Sequence, residues 1–482
     1  MENNVVSNVS HEELVSRGYN VDLLPRTSEQ KQTSALNYFT LWMGSIHNIP
    51  SYTAVGGFLF LGLSPVNVML AIILSALAVS AFMAYNGRAG SEYGIPFSMH
   101  LRSTYGVIGS KLPGFLRGGV AAIAWFAFQN YAGSLALQVL IGKLWPGFLE
   151  IGNGANILGL SYSGWISFLL FWACNVLIGL GGSGGLLNKF TLFLNPLIYI
   201  VFGGMTIWAI SVAGGFHNIL NYAAPTTPTH SPLLVYFIII TSTLSTWAAP
   251  GVSVSDFTQT AKSTKDQMIG QTASLLVGYL IFAFSSVCIL IGSSIHYGVT
   301  EWNVLNIIEK WDSLPAIILA MLVFLLTTIS TNATGNIIPA AYQLVALFPS
   351  KINYKKGVII ASIVSILLMP WKMMENGSSI FIFLNLIGSL LGPVAGVMIA
   401  DFYVVKKQKI DINRLYMEKD DKTSPYSGVN VAAYIATGIG LVLSVSGQFI
   451  KGVTILQIFN DMSWIVGFVS ASLIYLALKI KK

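Results

Sequence analysis

Charged residues are scarce in this chain of 482 residues: Asp, Glu, Lys and Arg make up 9% of it, against 54% for hydrophobic residues. A soluble domain usually carries about 25% charged residues, so this composition excludes a soluble globule of this length. The hydrophobic residues also stand in long blocks, and a block of about 18 or more predicts a membrane-spanning helix. We therefore expect an all-α integral membrane protein surrounded by a lipid bilayer.

Cysteine is also nearly absent. Cys174 and Cys288 both lie inside hydrophobic blocks, where a free cysteine behaves as a small apolar residue. Disulfide frameworks and metal sites need clustered ligands at set spacings. The sequence therefore predicts neither of them, and it predicts no cofactor beyond a coupling ion.

The first 35 residues lack the apolar run that a cleavable secretory signal requires. They are polar and charged, so residues 1–35 are predicted to form a cytoplasmic N-terminal tail, of which residues 1–25 are expected to be mobile. The first hydrophobic block, from Leu36, is then a true membrane span.

Twelve hydrophobic blocks are predicted to cross the membrane, and we number them spans 1 to 12. They cover residues 36–62, 66–86, 115–142, 161–182, 190–213, 232–254, 268–294, 315–342, 357–371, 378–404, 429–447 and 462–479. With the N-terminus inside, all but four of the 26 Lys and Arg residues lie on the cytoplasmic side, as the positive-inside rule expects. The exceptions are Lys143, Lys310, Lys372 and Lys451. This pattern predicts a multi-pass protein of the cytoplasmic membrane with both termini inside, and it explains the net charge of +7 without a nucleic-acid partner.

Two spans carry a proline at mid-membrane. Span 1 has Pro50 within the polar stretch 45–51, and span 6 has the pair Pro250–Gly251. Proline removes a backbone donor, and freed backbone groups are tolerated in a membrane only where they line a cavity or are packed in protein. Interruptions at matching positions of two halves point to an inverted-repeat transporter with a central site. The alternative is a pair of structural kinks.

This pattern predicts a first repeat of spans 1–5 over residues 36–224 and a second of spans 6–10 over residues 225–405. Residues 406–482 then hold spans 11 and 12 and a cytoplasmic C-terminus.

Span 3 places Trp125 and Gln129 four residues apart, on one helix face. An indole can stack on a flat ring while a carboxamide donates and accepts at the ring's edge. Ordinary packing of the tryptophan is the alternative.

Span 8 carries a polar run from Thr327 to Asn336, in which Thr327, Ser330 and Thr331 share one face. Their oxygens, together with carbonyls freed in span 1, could ligate Na⁺. Hydrogen bonding between helices is the alternative.

Acidic residues are missing from the centre of every predicted span, so a buried carboxylate relay for protons has no obvious member. His47 is the one ionisable candidate at that depth, and a structural histidine is the alternative reading. The absence of a central Lys or Arg argues against a strongly anionic cargo.

These motifs resemble the nucleobase–cation symporter family 1 across nearly the full length, and its bacterial allantoin permeases most closely. The resemblance is carried by residues 42–50, 125–129, 247–257 and 330–336. It implies a five-plus-five inverted repeat of the leucine-transporter type, with two helices appended. The function implied is import of allantoin or a related hydantoin by alternating access, coupled to Na⁺ or H⁺.

The resemblance also implies residue roles. Trp125 and Trp247 would stack on the cargo ring, and Gln129, Asn336 and Asn48 would hydrogen-bond its edge. The Na⁺ ligands would be carbonyls of Gly44, His47 and Thr327 and the hydroxyls of Ser330 and Thr331. Thr327 stands where a smaller residue is expected.

Three alternatives stay open: a uracil, cytosine or purine permease of the same family, an amino-acid symporter of the same fold, and a membrane enzyme, for which no catalytic constellation is visible. Span 10 is expected to act as an outer lid that bends at Gly388 and Gly392. The oligomeric state is not indicated.

Overall fold

The structure is a computed structural model. It describes residues 10–182, 185–224, 226–228, 230–374, 379–417 and 421–480, without the side chains of residues 185–188, 190, 191 and 379. Cys174 is exposed and Cys288 is buried.

Helices dominate the fold, and ten of those within the described residues are long and apolar enough to cross a membrane. They correspond to predicted spans 2–8 and 10–12, and they run over Pro65–Tyr93, Lys111–Leu144, Tyr162–Leu180, Leu192–Val212, Pro232–Val252, Thr264–Tyr297, Leu314–Leu347, Ile380–Val405, Val431–Phe449 and Ser463–Ile480. Their outer faces expose leucines, for example Leu70, Leu74 and Leu77 on span 2, as expected of a surface that faces lipid rather than water. The chain is an all-α, multi-pass membrane protein, as predicted.

Span 1 is broken, as its proline predicts. One half-helix covers Ala35–Ile46 and the other covers Ile49–Leu59, so neither half reaches the length of a full span. Span 9 is a helix of only 14 residues, Tyr354–Leu367, followed by a short turn at Pro370–Met373. Ten long helices with these two shorter crossings are consistent with twelve spans, although the number stays a prediction.

Span 6 was predicted to break at Pro250–Gly251, and that position is wrong. The helix Pro232–Val252 continues through Pro250 and is capped by Ser253; a single further turn follows at Ser255–Thr258. A Cβ on Gly251 would lie 2.1 Å from the ring of Phe82, so this glycine allows spans 2 and 6 to pack closely. Pro250 falls in the last turn of the helix, where Thr246 turns its hydroxyl back to the Ser242 carbonyl at 3.1 Å.

The N-terminal segment was expected to be mobile over residues 1–25. Residues 1–9 lie outside the described residues, but residues 10–33 are folded against one end of the bundle. Leu14, Leu23 and Leu24 are buried, and the Arg17 guanidinium donates to the Tyr416 carbonyl at 3.2 Å. The apolar residues interspersed among the charges provide the driving force, because each buried leucine contributes about 1.5–3 kcal/mol.

We call this end of the bundle the terminal face, because the end of span 12 lies there too. Asn430, which begins span 11, donates both to the Thr104 carbonyl at 2.8 Å and to the Tyr475 hydroxyl at 3.1 Å. The N- and C-terminal parts of the chain therefore meet on one side of the bundle.

The spans fall into two groups. Spans 1, 2, 6 and 7 pack mainly on one another, as do spans 3, 4, 8 and 9, while span 10 packs on spans 6 and 12. Spans 3 and 8, which occupy equivalent places in the two predicted repeats, each contain one π-helical segment, Leu116–Ala121 and Ala333–Ile337. Arg117 of the first segment donates to the Gly335 carbonyl of the second at 2.7 Å. A third π-helical segment, Asp401–Val405, ends span 10.

Span 10 is continuous over Ser379–Ala400. A Cβ on Gly388 would lie 2.4 Å from the Ser245 hydroxyl, and one on Gly392 would lie 2.7 Å from the Trp464 carbonyl. Both glycines therefore permit close packing against spans 6 and 12. Bending at these positions stays a prediction.

Shorter elements connect the spans. The only strands in the described parts are Asn156–Ile157 and Leu160–Ser161, which form a small antiparallel hairpin between spans 3 and 4. The short helices and turns are His11–Ser16, Val21–Leu23, Ser28–Gln30, Arg88–Tyr93, Phe97–Tyr105, Pro146–Phe148, Phe216–Leu220, Val304–Glu309, Ile412–Leu415 and Thr454–Asp461.

Candidate functional site

A small cavity lies at the centre of the bundle, where the break in span 1 meets spans 3, 6 and 8. Its volume is about 30 Å³. All five residues predicted to bind the cargo line it, and none of its lining residues is charged. The lining residues are Trp42, Ser45, Asn48, Trp125, Gln129, Thr246, Trp247, Pro250, Thr331, Thr334, Gly335 and Asn336.

Asn48 joins the two halves of span 1. Its side-chain oxygen accepts from the Ser51 amide at 3.1 Å, and its side-chain nitrogen donates to the Ser45 carbonyl at 2.8 Å. Asn48 is thus the N-cap of the second half-helix and also satisfies a carbonyl at the end of the first. Much of the hydrogen-bonding capacity of this amide is used within span 1, which leaves less for a cargo than the predicted role assumed.

Tryptophans dominate the apolar wall of the cavity. The Trp247 indole donates to the Tyr279 hydroxyl at 2.5 Å, which fixes its orientation, and Trp42 meets the Trp247 ring edge to face at 5.6 Å. Trp125 contacts Phe383 of span 10 edge to face at 4.7 Å. Trp42 was not predicted as a site residue, although it lies three residues from Ser45 on the same half-helix.

Two amides supply the polar wall. Gln129 is 2% exposed, and its side-chain oxygen has no partner in the described part of the chain. Asn336 donates from its side-chain nitrogen to the side-chain oxygen of Asn332 at 2.8 Å, which leaves its own oxygen to accept. The cavity therefore presents an acceptor from span 3 and an acceptor from span 8.

Asn336 is the end of a chain of four asparagines that the sequence did not reveal. Asn332 donates to Asn175 of span 4 at 3.1 Å, and Asn175 donates to Asn130 of span 3 at 3.3 Å. Asn130 in turn donates to the Phe168 carbonyl at 3.4 Å. Linked amides polarise one another in a medium of low dielectric constant, so this chain holds the Asn336 amide in one orientation.

The predicted cation ligands of spans 1 and 8 also lie together. A Cβ on Gly44 would be 3.4 Å from the Ser330 hydroxyl, which is buried and has no partner among the described residues. The Thr331 hydroxyl donates to the Thr327 carbonyl at 2.9 Å, and the Ser45 carbonyl lies 3.3 Å from the same oxygen. The Gly44 carbonyl is one of the last four of its half-helix and so has no donor within that helix.

These groups provide hydroxyl and carbonyl oxygens, the ligand type that Na⁺ prefers as a hard cation. The unpartnered Ser330 hydroxyl is the observation that fits such an ion. The Thr327 side chain turns back onto its own helix and donates to the Phe324 carbonyl at 3.0 Å. Its extra size is therefore accommodated within span 8, and its carbonyl remains next to Thr331.

The His47 side chain points away from these oxygens. Its ring lies 4.6 Å from that of Phe202 and 5.4 Å from that of Phe282, and its Nδ1 atom is 3.4 Å from the Tyr52 hydroxyl. A fully buried ring in an aromatic cage agrees with the structural alternative for this side chain. The predicted role of the His47 carbonyl is not affected by where its side chain points.

Arg117 closes the cavity toward the terminal face. It is fully buried in the π-helical segment of span 3, and it donates to the Gly335 carbonyl of span 8 at 2.7 Å and to the Ser253 hydroxyl of span 6 at 3.0 Å. Gly335 is itself a wall of the cavity. One side chain thus joins three spans directly behind the site, and the buried carboxylate of Asp256 lies in the same region.

Aromatic rings close the opposite side. Phe383 of span 10 stacks on Phe128 of span 3 at 5.1 Å with nearly parallel planes, and it also covers Trp125. Beyond this layer a larger cavity of about 590 Å³ opens between spans 1, 3 and 10, with Phe128 and Phe381 in its wall. The aromatic layer therefore separates this larger cavity, which we call the vestibule, from the central cavity, and the predicted lid role of span 10 requires such a layer.

Several site residues escaped prediction. Arg117 was counted only among the basic residues of the cytoplasmic side, because the sequence does not show that its helix starts six residues earlier, at Lys111. Thr246 and Thr334 carried a usable signal, since Thr246 precedes the motif residue Trp247 and Thr334 lies within the motif 330–336, and both have a polar side chain at membrane depth. Tyr279 had none.

The comparison with known proteins agrees with this geometry. A family model described as permease for cytosine/purines, uracil, thiamine and allantoin matches residues 25–467. A protein of Escherichia coli strain K12 that is described as a candidate allantoin permease is 52% identical over 464 residues, which is 96% of this chain and 95% of that protein. The allantoin permease of Bacillus subtilis strain 168 is 37% identical over 459 residues, or 95% of this chain and 92% of that protein.

Among solved structures, a nucleobase-cation-symport-1 family transporter in a closed conformation with bromovinylhydantoin bound shares the fold. Its TM-score is 0.76 at 22% identity, over 95% of this chain and 94% of that one. With the family model matched over most of the chain and a relative above half identity, this chain belongs to the nucleobase–cation symporters, the family of permeases for cytosine, purines, uracil, thiamine and allantoin.

Proposed function

We propose that this chain imports allantoin, or a closely related ureide ring, across the cytoplasmic membrane by alternating access. The observation that supports this most directly is the central cavity, in which tryptophans from spans 1, 3 and 6 face amides from spans 3 and 8. Both of the allantoin permease relatives align over at least 95% of this chain, so the proposal covers the whole transporter rather than one segment.

A ureide ring is flat, uncharged and rich in N–H and C=O groups. The ring face suits the indoles of Trp125 and Trp247, because aromatic side chains bury a large apolar area with a defined geometry. The acceptor oxygens of Gln129 and Asn336 suit ring N–H groups, and the Gln129 amide nitrogen can donate to a ring carbonyl. An uncharged wall also avoids the cost of desolvating a charge.

The amino-acid alternative fits the cavity less well. Carriers of this architecture hold a carboxylate at the N-terminus of a broken half-helix. Here that N-terminus is already occupied, because the Asn48 side chain accepts from the Ser51 amide. A carboxylate would have to displace this cap within an uncharged cavity.

Transport requires the walls to move, since a cavity of about 30 Å³ has room for only one or two water molecules. We expect spans 1, 2, 6 and 7 to rock against spans 3, 4, 8 and 9. Displacement of the Phe383 layer would open the site to the vestibule. Release of the Arg117 bonds would open it to the terminal face, which we place in the cytoplasm together with both termini.

For the coupling ion we propose Na⁺, held by Gly44, Thr327, Ser330 and Thr331 and by the His47 carbonyl. The unpartnered Ser330 hydroxyl supports Na⁺. Coupling to H⁺ would need a titratable group in the span centres, and the candidate that the sequence offers, His47, has its ring enclosed by aromatic side chains. Coupling requires that the ion favour the cargo-binding state, and by linkage the cargo must then tighten ion binding to the same degree.

The test is uptake of radiolabelled allantoin by cells that express this chain, with and without Na⁺, in competition with hydantoins, uracil, cytosine and amino acids. We expect saturable, Na⁺-dependent uptake that ureides block. Competition by uracil or cytosine alone would move the cargo to the nucleobases.

Variants locate the site within the same assay. Trp125→Ala and Gln129→Ala should abolish uptake while membrane expression is kept. Gln138→Ala is the matched control, because Gln138 lies on the same span, outside the cavity, and its amide bonds to Ser163 of span 4 at 3.0 Å. Normal transport by either site variant would exclude the proposed cargo site.

A further inference from the structure

A second cavity, of about 300 Å³, lies at the terminal face and takes no part in the site above. Residues 18–20 and 23 of the N-terminal segment form its roof, the helix Phe97–Tyr105 and the start of span 3 form one wall, and the end of span 8 forms the other. The polar side chains in its lining are Tyr19, Asn20, Ser98, Arg102, Ser110, Lys111 and Gln343.

Hydrogen bonds to other parts of the chain anchor the roof segment. The Asn20 side chain donates to the Pro349 carbonyl beyond span 8 at 3.4 Å, and the Tyr19 hydroxyl donates to the Met417 carbonyl at 2.7 Å. The cavity is therefore bounded by three separate parts of the chain, and its volume is in the range of sites that hold a small organic molecule.

Arg102 is a buried charge without an acidic partner. It is 8% exposed, and its guanidinium lies over the Tyr19 ring at 5.3 Å. The ion pairs of the described residues are Arg17–Glu13, Arg88–Glu92 and Lys406–Asp401, so neither Arg102 nor Lys111 belongs to one. Buried charges in proteins are normally paired, because an unpaired one costs several kcal/mol of solvation.

The unpartnered polar atoms in the wall can all act as donors. Ser98 and Arg102 are four residues apart on one helix face, and the Ser98 hydroxyl and the Arg102 Nε have no partner in the part of the chain described. The Gln343 Nε2 is also unpartnered, and Gln343 is 1% exposed. No Asp or Glu lines the cavity, within the same limits.

The start of span 3 adds to this charge. Ser110 and Lys111 lie at the N-terminus of the long helix Lys111–Leu144, whose macrodipole favours an anion near that end. Two cationic side chains, a helix N-terminus and buried donors thus converge on one cavity.

We propose that this cavity binds a small oxyanion, a carboxylate or phosphate group, with Arg102, Ser98, Gln343 and Lys111 as its ligands. The group belongs either to a free metabolite or to the head of an anionic lipid. Since the roof leads directly into span 1, an oxyanion bound there would hold the N-terminal segment against spans 3 and 8. Its chemistry differs from that of the transported ring, which is neutral.

The experiment is a thermal-unfolding titration of the purified full chain. In detergent, the probes are acetate, citrate and inorganic phosphate, each compared with NaCl at equal ionic strength. In nanodiscs, phosphatidylcholine alone is compared with phosphatidylcholine containing phosphatidylglycerol. A ligand that binds only the folded chain raises the melting temperature in a saturable way.

We expect at least one oxyanion to stabilise the wild type beyond the NaCl control, and Arg102→Gln to weaken that ligand's affinity roughly tenfold or more, as for loss of a charged hydrogen bond. Ser98→Ala should weaken it less, and it serves if Arg102→Gln does not fold. Lys356→Gln, an exposed lysine near the same face, should leave it unchanged.

Stabilisation by the free anions identifies a metabolite site, and stabilisation by phosphatidylglycerol alone identifies a headgroup site; both support the proposal. Equal responses of the wild type, Arg102→Gln and Lys356→Gln would overturn it, as would no effect beyond that of NaCl. Allantoin uptake is measured on the same variants, so a failed cargo assignment and a failed anion site give separate results.

Discussion

Asn332 offers a strict test of how the cargo site is built, because it does not line the cavity. Its side-chain oxygen accepts from Asn336 at 2.8 Å, and its side-chain nitrogen donates to Asn175 at 3.1 Å. Asn332→Ala removes both bonds at once. The Asn336 amide then loses the acceptor that fixes its orientation, while Asn336 itself stays in place.

The size of the effect follows from these two bonds. Asn175 is fully buried, and its oxygen would lose its donor, which costs about 1–3 kcal/mol of folding stability. Asn336 would be free to turn its nitrogen toward the cargo in place of its oxygen. The cargo would then lose about one net hydrogen bond of 0.5–1.5 kcal/mol, which corresponds to a roughly twofold to tenfold rise in KM.

The assay is the concentration dependence of allantoin uptake, with surface expression measured in parallel. Gln138→Ala is the control, because it breaks an interhelical amide contact with the same span 4, made from span 3 and away from the cavity. Both variants should unfold at a lower temperature than the wild type, but only Asn332→Ala should raise KM.

Two results would refute the reasoning. If Asn336→Ala raises KM and Asn332→Ala leaves it at the wild-type value, the asparagine chain does not orient Asn336. If Gln138→Ala raises KM as much as Asn332→Ala does, the effect reflects general loosening of the bundle.

Two further predictions concern the closure toward the terminal face and the ion. Arg117→Gln loses two hydrogen bonds from a buried charge, each worth about 1.5–3 kcal/mol. The melting temperature should therefore fall by several degrees and uptake should drop, with partial recovery in Arg117→Lys. Unchanged stability would show that Arg117 does not join the three spans. Ser330→Ala should raise the Na⁺ concentration that gives half-maximal uptake, and saturating Na⁺ should restore most of the rate. Ser365→Ala, which changes a buried serine of span 9, is its control. An unaltered Na⁺ dependence in Ser330→Ala would remove that hydroxyl from the proposed ion site.

The sequence singled out residues that line the central cavity because its signals are local. Polar residues and a proline at mid-membrane are costly unless they serve a cavity, so Asn48, Trp125 and Gln129 stood out from their neighbours. The break in span 1 followed from the same argument. Span 6 shows the limit of that argument. Pro250 is accommodated in the last turn of its helix, which ends at Val252. At that end the Gly251 and Val252 carbonyls accept from the Asn86 side chain of span 2 at 2.7 and 3.0 Å.

The missed features depend on partners far away in the sequence. Arg117 takes its role from Ser253 and Gly335, which are more than one hundred residues distant. The folded N-terminal segment likewise depends on contacts near Tyr416, at the other end of the chain. Neither partner can be chosen without the tertiary fold, so the sequence placed Arg117 only among the basic residues of the cytoplasmic side and predicted residues 1–25 to be a mobile tail.

The two closures of the central cavity differ in kind, and that difference bears on the order of opening. Phe383 covers the vestibule side, the proposed outer side, through ring contacts, which contribute only about 0.5–1.5 kcal/mol per pair beyond their burial. Arg117 holds the terminal-face side, the proposed inner side, through directional hydrogen bonds from a buried charge, which cannot be stretched without a large loss. The outer layer should therefore yield first, and cargo should reach Trp125 while the Arg117 bonds are intact. Inner opening then requires that cargo and ion together stabilise the rearranged bundle by as much as those bonds contribute. A carrier with this asymmetry would admit its cargo easily from the vestibule and open inward chiefly when loaded.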